Sequence, residues 1–411
     1  MKEAALPKGT VLQAALRSTT DRLAAELTRP ADSAPDWNDF EWHAAMAVAV
    51  MHGISGLLAS KLRWQGPPDW RCFLAEQSEQ GRRREQRIRT LLGELDRRAK
   101  AAGLPMLAMK GSALLGLNLY APGERPMSDV DLLVRPDNTD AADRLILALG
   151  YERGVSQPRH IAYEPQGQSA QRAFGEHAGN PVKIELHQAV YEPLPQHGID
   201  ITAQLLRADA APGLTTYPSL AALMRHLLLH AAGNLCNCCV RLIQLHDIAV
   251  LTTRLDAADW DEALAPASDD RPAWWAVPPL RLAQRLFPGS VPQTAAQRRA
   301  AAACPPGLRG KTHSLVDVSL SRLTIPMLPG LEWSRDASEA WALARRRLHP
   351  GREALVINEQ IVRSQDPLAG AAWSHRSRWL KALSFLLGAP PRVQTLYSLH
   401  RALAYRPSSS A

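Results

Sequence analysis

The sequence predicts an α+β protein, a small mixed-sheet core flanked by N-terminal and C-terminal helical regions. Three observations predict it. Residues 1–103 carry apolar positions at helical spacing, the stretch from Leu104 to about Tyr191 breaks into short β-like runs, and after Tyr217 the spacing is helical again.

The N-terminal helical region, 1–103, divides at its proline-bearing stretches, 30–35 and 67–69. One helix is expected near Leu12–Leu27, a second from Phe40 to Leu62, and a long third from about Phe73 to Ala102. In the third, Ile88, Leu91, Leu92, Leu95 and Ala99 mark one apolar face. Its arginine cluster, "GRRREQRIR" at 81–89, is expected to be a solvated face, the usual fate of charge runs on amphipathic helices.

The core is expected over 104–191. "LPMLAMK" (104–110) reads as a strand, "GSALLGLNLY" (111–120) as a helix opening at glycine-serine, and 127–134 as the next strand. Pro136 and Asp137 open a helix that closes at Gly150. "RHIAYE" (159–164) and "VKIELHQAV" (182–190) then read as hairpin strands. Residues 192–300 form a helical region expected to pack on the core. Residues 301–411 form a C-terminal helical region whose tail, Ser408–Ala411, is expected to be disordered. Trp274, Trp275, Trp333, Trp341, Trp373 and Trp379 are expected in cores and helix contacts.

Composition narrows the function classes. Of 411 residues 46% are hydrophobic, the content of a folded globular chain. The net charge is +8, but of 48 basic residues only eight are lysine, and the arginines are scattered. No clustered basic and aromatic surface suggests a nucleic-acid channel, so nucleic acid is not an expected partner. The longest apolar run, near His43–Ala59, is too short and too polar for the ~20 residues of a membrane span. The opening "MKEAALPKGT" has no apolar core of the secretory kind, so the cytoplasm is the expected compartment. Five irregularly placed cysteines fit reduced thiols, and they lack the paired spacing of a structural zinc site.

The chemistry starts at "GERPMSDVDLLV", 123–134. Strand alternation turns Asp129, Asp131 and Leu133 one way and Val130, Leu132 and Val134 the other, so the two carboxylates sit ~7 Å apart at Cα. Like charges that close need a cation between them or a proton on one. Exposed strand ends carry such pairs harmlessly, and the surrounding residues strengthen the metal reading. In "VKIELHQAV" the same alternation leaves Lys183, Glu185 and His187 opposite Val182, Ile184 and Leu186, so a paired strand brings Glu185 to the aspartates. Gly111 and Ser112 open a helix after a strand, where free N–H groups favour phosphate, with Lys110 and Arg125 on either side. Hard dications such as Mg²⁺ take one or two carboxylates plus substrate phosphates. His230 and Asp247 are expected to form a polar contact between two packed helices.

"MLAMKGSALL", "ERPMSDVDLLV" and "VKIELH" together resemble the three signature elements of the DNA polymerase β-type nucleotidyltransferase superfamily. The Lys-Gly before the helix, the arginine ahead of Asp-x-Asp, and Glu-Leu-His resemble the bacterial uncharacterised nucleotidyltransferase family. "MHGISGLL" (51–58) and "LLLHAAGN…RLIQLHDIAVL" (227–251) look like its flanking helices, so the resemblance spans roughly 40–290. One departure is Glu185, where many superfamily members have aspartate.

The resemblance implies an enzyme that uses an NTP, ATP being the expected one, and two Mg²⁺ (or Mn²⁺) ions, one activating the acceptor hydroxyl and the other holding the nucleotide's phosphates. It would move a nucleoside monophosphate to a hydroxyl acceptor on a small molecule, peptide or protein and release pyrophosphate. It implies Asp129, Asp131 and Glu185 as metal ligands and Lys110, Gly111, Ser112 and Arg125 as nucleotide contacts. His187 would help deprotonate the acceptor. A non-catalytic nucleotide- or partner-binding module on the same fold is the alternative.

Overall fold

The computed structural model describes residues 6–407, apart from 155–159, 168–172, 196–197, 208, 267–271, 312, 325, 327, 350 and 352–390. Trp373, Trp379 and the tail Ser408–Ala411 lie outside the described residues.

Helix α1 is Gly9–Glu26 and α2 is Asp39–His52. Asn38 opens α2 with a reciprocal cap: its side chain accepts from Glu41 N–H, and Glu41 accepts from Asn38 N–H. One helix from Phe40 to Leu62 is expected, but two form. Gly53 ends α2 with φ 67°, a left-handed backbone that glycine adopts without a Cβ clash, and α3 (Ser55–Lys61) leaves at 114°. Among the described residues no single helix is long and apolar enough to cross a membrane.

Helix α4, Pro68–Ala101, is 34 residues long and starts with proline in its first turn, where the missing N–H costs nothing. Within its arginine cluster, Arg82 and Arg83 pair with Glu79, and Arg89 with Glu85, as a solvated face should. Arg84 departs from that expectation. It is buried, lies 2.6 Å from Glu176, and donates to the carbonyls of Pro181 and Asn180, fixing the segment that leads into the fifth strand.

The sheet elements follow in order: β1 (Pro105–Ala108), α5 (Gly111–Gly116), β2 (Asp129–Leu133), α6 (Thr139–Leu147), β3 (Tyr151–Arg153), β4 (His160–Pro165) and β5 (Lys183–His187). A small hairpin, β6 (Tyr191–Pro193) with β7 (Gly198–Asp200), and a short α7 (Thr202–Leu205) precede β8 (Gly213–Thr215). The six-stranded order is β3-β4-β5-β2-β1-β8. The β2–β5 and β1–β8 pairs are parallel and the others antiparallel, so the sheet is mixed. The expected hairpin pairing of β4 with β5 is present. Strand β8 lies beyond the expected core limit at 191, so a segment assigned to the helical region completes the sheet edge.

The two sheet faces separate two kinds of contact. Val130, Leu132, Ile184, Leu186 and Met106 pack on Ile88, Leu95 and Ala99 of α4 and on Ala142 and Ile146 of α6. The opposite face contributes Leu107 and Leu133 to a larger core shared with the helices. That core includes α8 (Leu220–Cys236), a helix buried on nearly all sides, and α9 (Leu242–Leu251). Beyond them lie α10 (Ala257–Ala263), α11 (Val277–Leu286), α12 (Ala295–Ala302), α13 (Pro306–Arg309), α14 (Leu315–Val318) and α15 (Ala337–Leu348). Last is α16 (Val393–Leu403), which returns to pack on α2. Trp274, Trp275 and Trp333 are buried as expected, whereas Trp341 is 70% exposed on α15.

Candidate active site

Parallel pairing of β2 and β5 sets Asp129 beside Lys183, Asp131 beside Glu185 and Leu133 beside His187. Neighbours in register share a face, and adjacent strands run ~4.8 Å apart. Asp129, Asp131, Glu185 and His187 therefore gather on one face, as the alternation predicts. Strand β4 adds a residue that sequence reasoning missed: His160 lies opposite His187 in register, and its Nε2 is 3.6 Å from Glu185 Oε2.

Asp131 is the most constrained of the acids. Lys110 Nζ lies 2.7 Å from its Oδ1, and His187 Nε2 lies 3.0 Å from the same oxygen. Burial alone would raise its pKa, but Lys110 and His187 outweigh burial and hold the carboxyl well below its usual range. Lys110 responds in kind: burial opposes its charge, and Asp131, Asp129 and Glu185 together raise its pKa. His187 is likewise raised, because its contacts with Asp131 and Glu185 exceed its burial cost. Glu185 is lowered against its burial by His187.

Asp129 is treated differently. Among the described residues its carboxylate accepts one hydrogen bond, from the Ser128 hydroxyl at 3.2 Å. Burial, then the charges of Asp131 and Glu185, push its pKa up to about 6. The row thus has one neutralised acid and one acid short of positive charge.

Lys110 reaches Asp131 through an unusual backbone. Its φ of 48° is in the left-handed region, a strain of about 1–3 kcal/mol that persists where surroundings over-determine it. Two contacts hold the turn: Lys110 N–H donates to the Tyr217 hydroxyl at 3.2 Å, and that hydroxyl sits 2.6 Å from His226 Nδ1. Helix α5, which starts here, has only six residues. Ser112 Oγ is buried beside it without a hydrogen-bond partner, and a Cβ on Gly111 would fall 2.7 Å from Arg125 Nη1.

Arg125 does not stand free. Its Nε and Nη2 donate to the two oxygens of Asp247 on α9 at 2.7 Å each, and Tyr120 OH donates to the same carboxylate at 2.7 Å. This corrects the expected His230–Asp247 contact: Asp247 is taken by Arg125 and Tyr120, while His230 lies 3.2 Å from Asn234 and 3.9 Å from Glu192. Arg125 Nη1 alone remains for a ligand, beside Gly111. A cavity of about 450 Å³ opens along β1 and β8 and is lined by Tyr217, Arg135, Arg207 and Asp209, but not by Asp129, Asp131 or Glu185.

His160 had a sequence signal. In "HIAYE" alternation puts His160, Ala162 and Glu164 on one face, and pairing with β5 turns that face to the acids. Tyr217 and His226 had none, because only the approach of α8 to the β1–α5 turn gives them a role. Cys236, Cys238 and Cys239 are free thiols that join no metal-ligand cluster among the described residues, with pKa values raised by burial.

Comparison with known families gives one match: a family model described as an uncharacterised nucleotidyltransferase covers residues 38–288. No curated protein and no solved structure matches the chain.

Proposed function

The chain belongs to the uncharacterised nucleotidyltransferase family, and from that premise we propose that it transfers a nucleoside monophosphate from an NTP, ATP foremost, to a hydroxyl acceptor. The observation that carries the reading is the row of Asp129, Asp131 and Glu185 on one face of two paired strands. Carboxylate oxygens are the donor type a hard dication such as Mg²⁺ or Mn²⁺ takes, and Asp129, short of positive charge, is the acid that most needs one. A dication bound there supplies charge for the phosphates and a more acidic acceptor hydroxyl.

The chain's own residues do the rest. Asp129, Asp131 and Glu185 hold the metal. Lys110 moves its ammonium between Asp131 and the developing charge of the leaving pyrophosphate. Ser112 Oγ, buried and unpartnered, and the open backbone at Gly111 receive the triphosphate, with Arg125 Nη1 alongside. His187 Nε2 takes the acceptor proton or orients Glu185 to do so. The acceptor is a small molecule, peptide or protein.

One observation favours a second reading. Lys110 and His187 already neutralise Asp131 internally, as they would in a binding module that needs no metal. The deciding experiment incubates purified protein with labelled NTPs and cell extract and identifies labelled products by mass spectrometry. Metal-dependent labelling absent in Asp129→Asn supports transfer. Nucleotide binding unaffected by chelator, with no labelled product, supports the module.

A further inference from the structure

The imidazoles of His160 and His187 converge on one carboxylate oxygen. Their Nε2 atoms lie 3.6 Å and 3.7 Å from Glu185 Oε2, and their rings are 4.9 Å apart between centroids. Together they form the one His/Cys/Asp/Glu triangle among the described residues whose ligand atoms all lie within 4.8 Å of one another.

We propose that His160, Glu185 and His187 form a binding site for a first-row transition-metal dication, distinct in ligand chemistry from a magnesium site. The spacing is the first argument. Ligand atoms ~2.1 Å from a zinc-like ion at tetrahedral or slightly wider angles stand about 3.5 Å apart, close to the observed 3.6 Å and 3.7 Å. Octahedral Mg²⁺ would need about 3.0 Å between neighbours and keeps oxygen ligands. Donor type is the second argument: two imidazoles with one carboxylate is a set for zinc, cobalt or iron.

The site is also held in place. Glu185 and His187 sit two residues apart on β5, and register with β4 fixes His160 opposite His187. Glu185 remains 24% exposed in its side chain, which leaves a path for entry, while both histidines are 11% exposed. Binding takes His187 Nε2 away from Asp131, whose other partner, Lys110 at 2.7 Å, stays. This deepens the proposed transfer reaction, on which its catalytic consequence rests: the acceptor-side cation would be a transition metal held by Glu185 and the two histidines, Mg²⁺ would serve at Asp129 and Asp131, and His187, with Nε2 on that cation, would act as a ligand in place of a proton acceptor.

The test is titration of the metal-free full chain with Co²⁺, whose four-coordinate nitrogen-ligated complexes absorb strongly in the visible. One equivalent should produce the band. His160→Gln and His160→Asn should each weaken Co²⁺ binding more than about tenfold, with melting in chelator unchanged to show that the fold survives. Asp129→Asn should keep the band, and excess Mg²⁺ should not bleach it. No band in the wild type, a band unaltered in both His160 variants, or a band lost in Asp129→Asn and displaced by Mg²⁺ would overturn the site. A band present without nucleotide transfer leaves the site standing and removes the reaction. Transfer without the band does the reverse.

Discussion

Lys110 Nζ lies 2.7 Å from Asp131 Oδ1, and the residue that places it there adopts a backbone with φ of 48°. An ammonium brought to a buried carboxylate at the cost of backbone strain stands where the proposed metal would otherwise supply positive charge. Lys110→Met should therefore destabilise the metal-free protein by about 1–3 kcal/mol, leaving His187 as the remaining positive partner of Asp131. Mn²⁺ should restore more stability to this variant than to wild type. Denaturation curves in chelator and in Mn²⁺ check this, and an equal response of both proteins to metal would separate Lys110 from the metal site.

The pH dependence of Asp129 has a defined sign. Its pKa of about 6 lies above that of an ordinary aspartate, ~3.9, so between those values the folded chain holds the proton more tightly than the unfolded chain. This contribution to stability is present at low pH and is lost as pH rises through about 6. In chelator, Asp129→Asn should match wild type near pH 4 and melt a few degrees higher at pH 7. Added Mg²⁺ should close the gap by stabilising wild type. Parallel melting profiles for the two proteins from pH 4 to 7 would contradict the raised pKa.

Much of this arrangement is legible in the sequence because strand alternation has a period of two. Once Val130 and Ile184 are assigned to the buried face, Asp129, Asp131, Glu185 and His187 follow without further information. The break at Gly53 was missed because alanine and valine continue the helical pattern around it, and only the left-handed φ shows the turn. Strand β8 has three residues, Gly213-Leu214-Thr215, and is a strand because β1 offers it an edge. The Arg125–Asp247 pair joins residues 122 apart in the chain, and no local pattern carries such a contact. Arg84 looked solvated for the same reason: its partners come from a segment some ninety residues later.

That Arg125–Asp247 pair can be separated from any nucleotide role. Truncating one partner, as in Arg125→Met, should cost about 3–5 kcal/mol by leaving Asp247 buried and unpaired. The double variant Arg125→Met with Asp247→Leu should recover most of that stability, since apolar replacement of a buried ion pair is often neutral. If Arg125 Nη1 also meets the triphosphate, KM for the NTP rises in the folded double variant. A double variant with restored stability and unchanged KM would make Arg125 a structural clasp only.

The three polar residues of β5 share a face but differ in partners, and the differences rank them. Lys183 is tied to Glu164 across the β4 pairing, so Lys183→Gln should cost little activity. His187 Nε2 is shared between Asp131 at 3.0 Å and Glu185 at 3.7 Å, so His187→Gln removes one positive partner from the acid row and a candidate proton acceptor together. Its loss should be intermediate. Because the His187 pKa is raised, the wild-type rate should climb with pH as the imidazole loses its proton, a limb that His187→Gln flattens. Glu185 is the only carboxylate of the three and stands beside Asp131 in register. Glu185→Gln should therefore lower kcat far more than it raises KM for nucleotide, since an acceptor-side cation acts chiefly in the transition state. Steady-state kinetics on the three variants give the order without an absolute rate. Should Lys183→Gln prove the most damaging, with Glu185→Gln near wild type, the third metal ligand must lie outside β5.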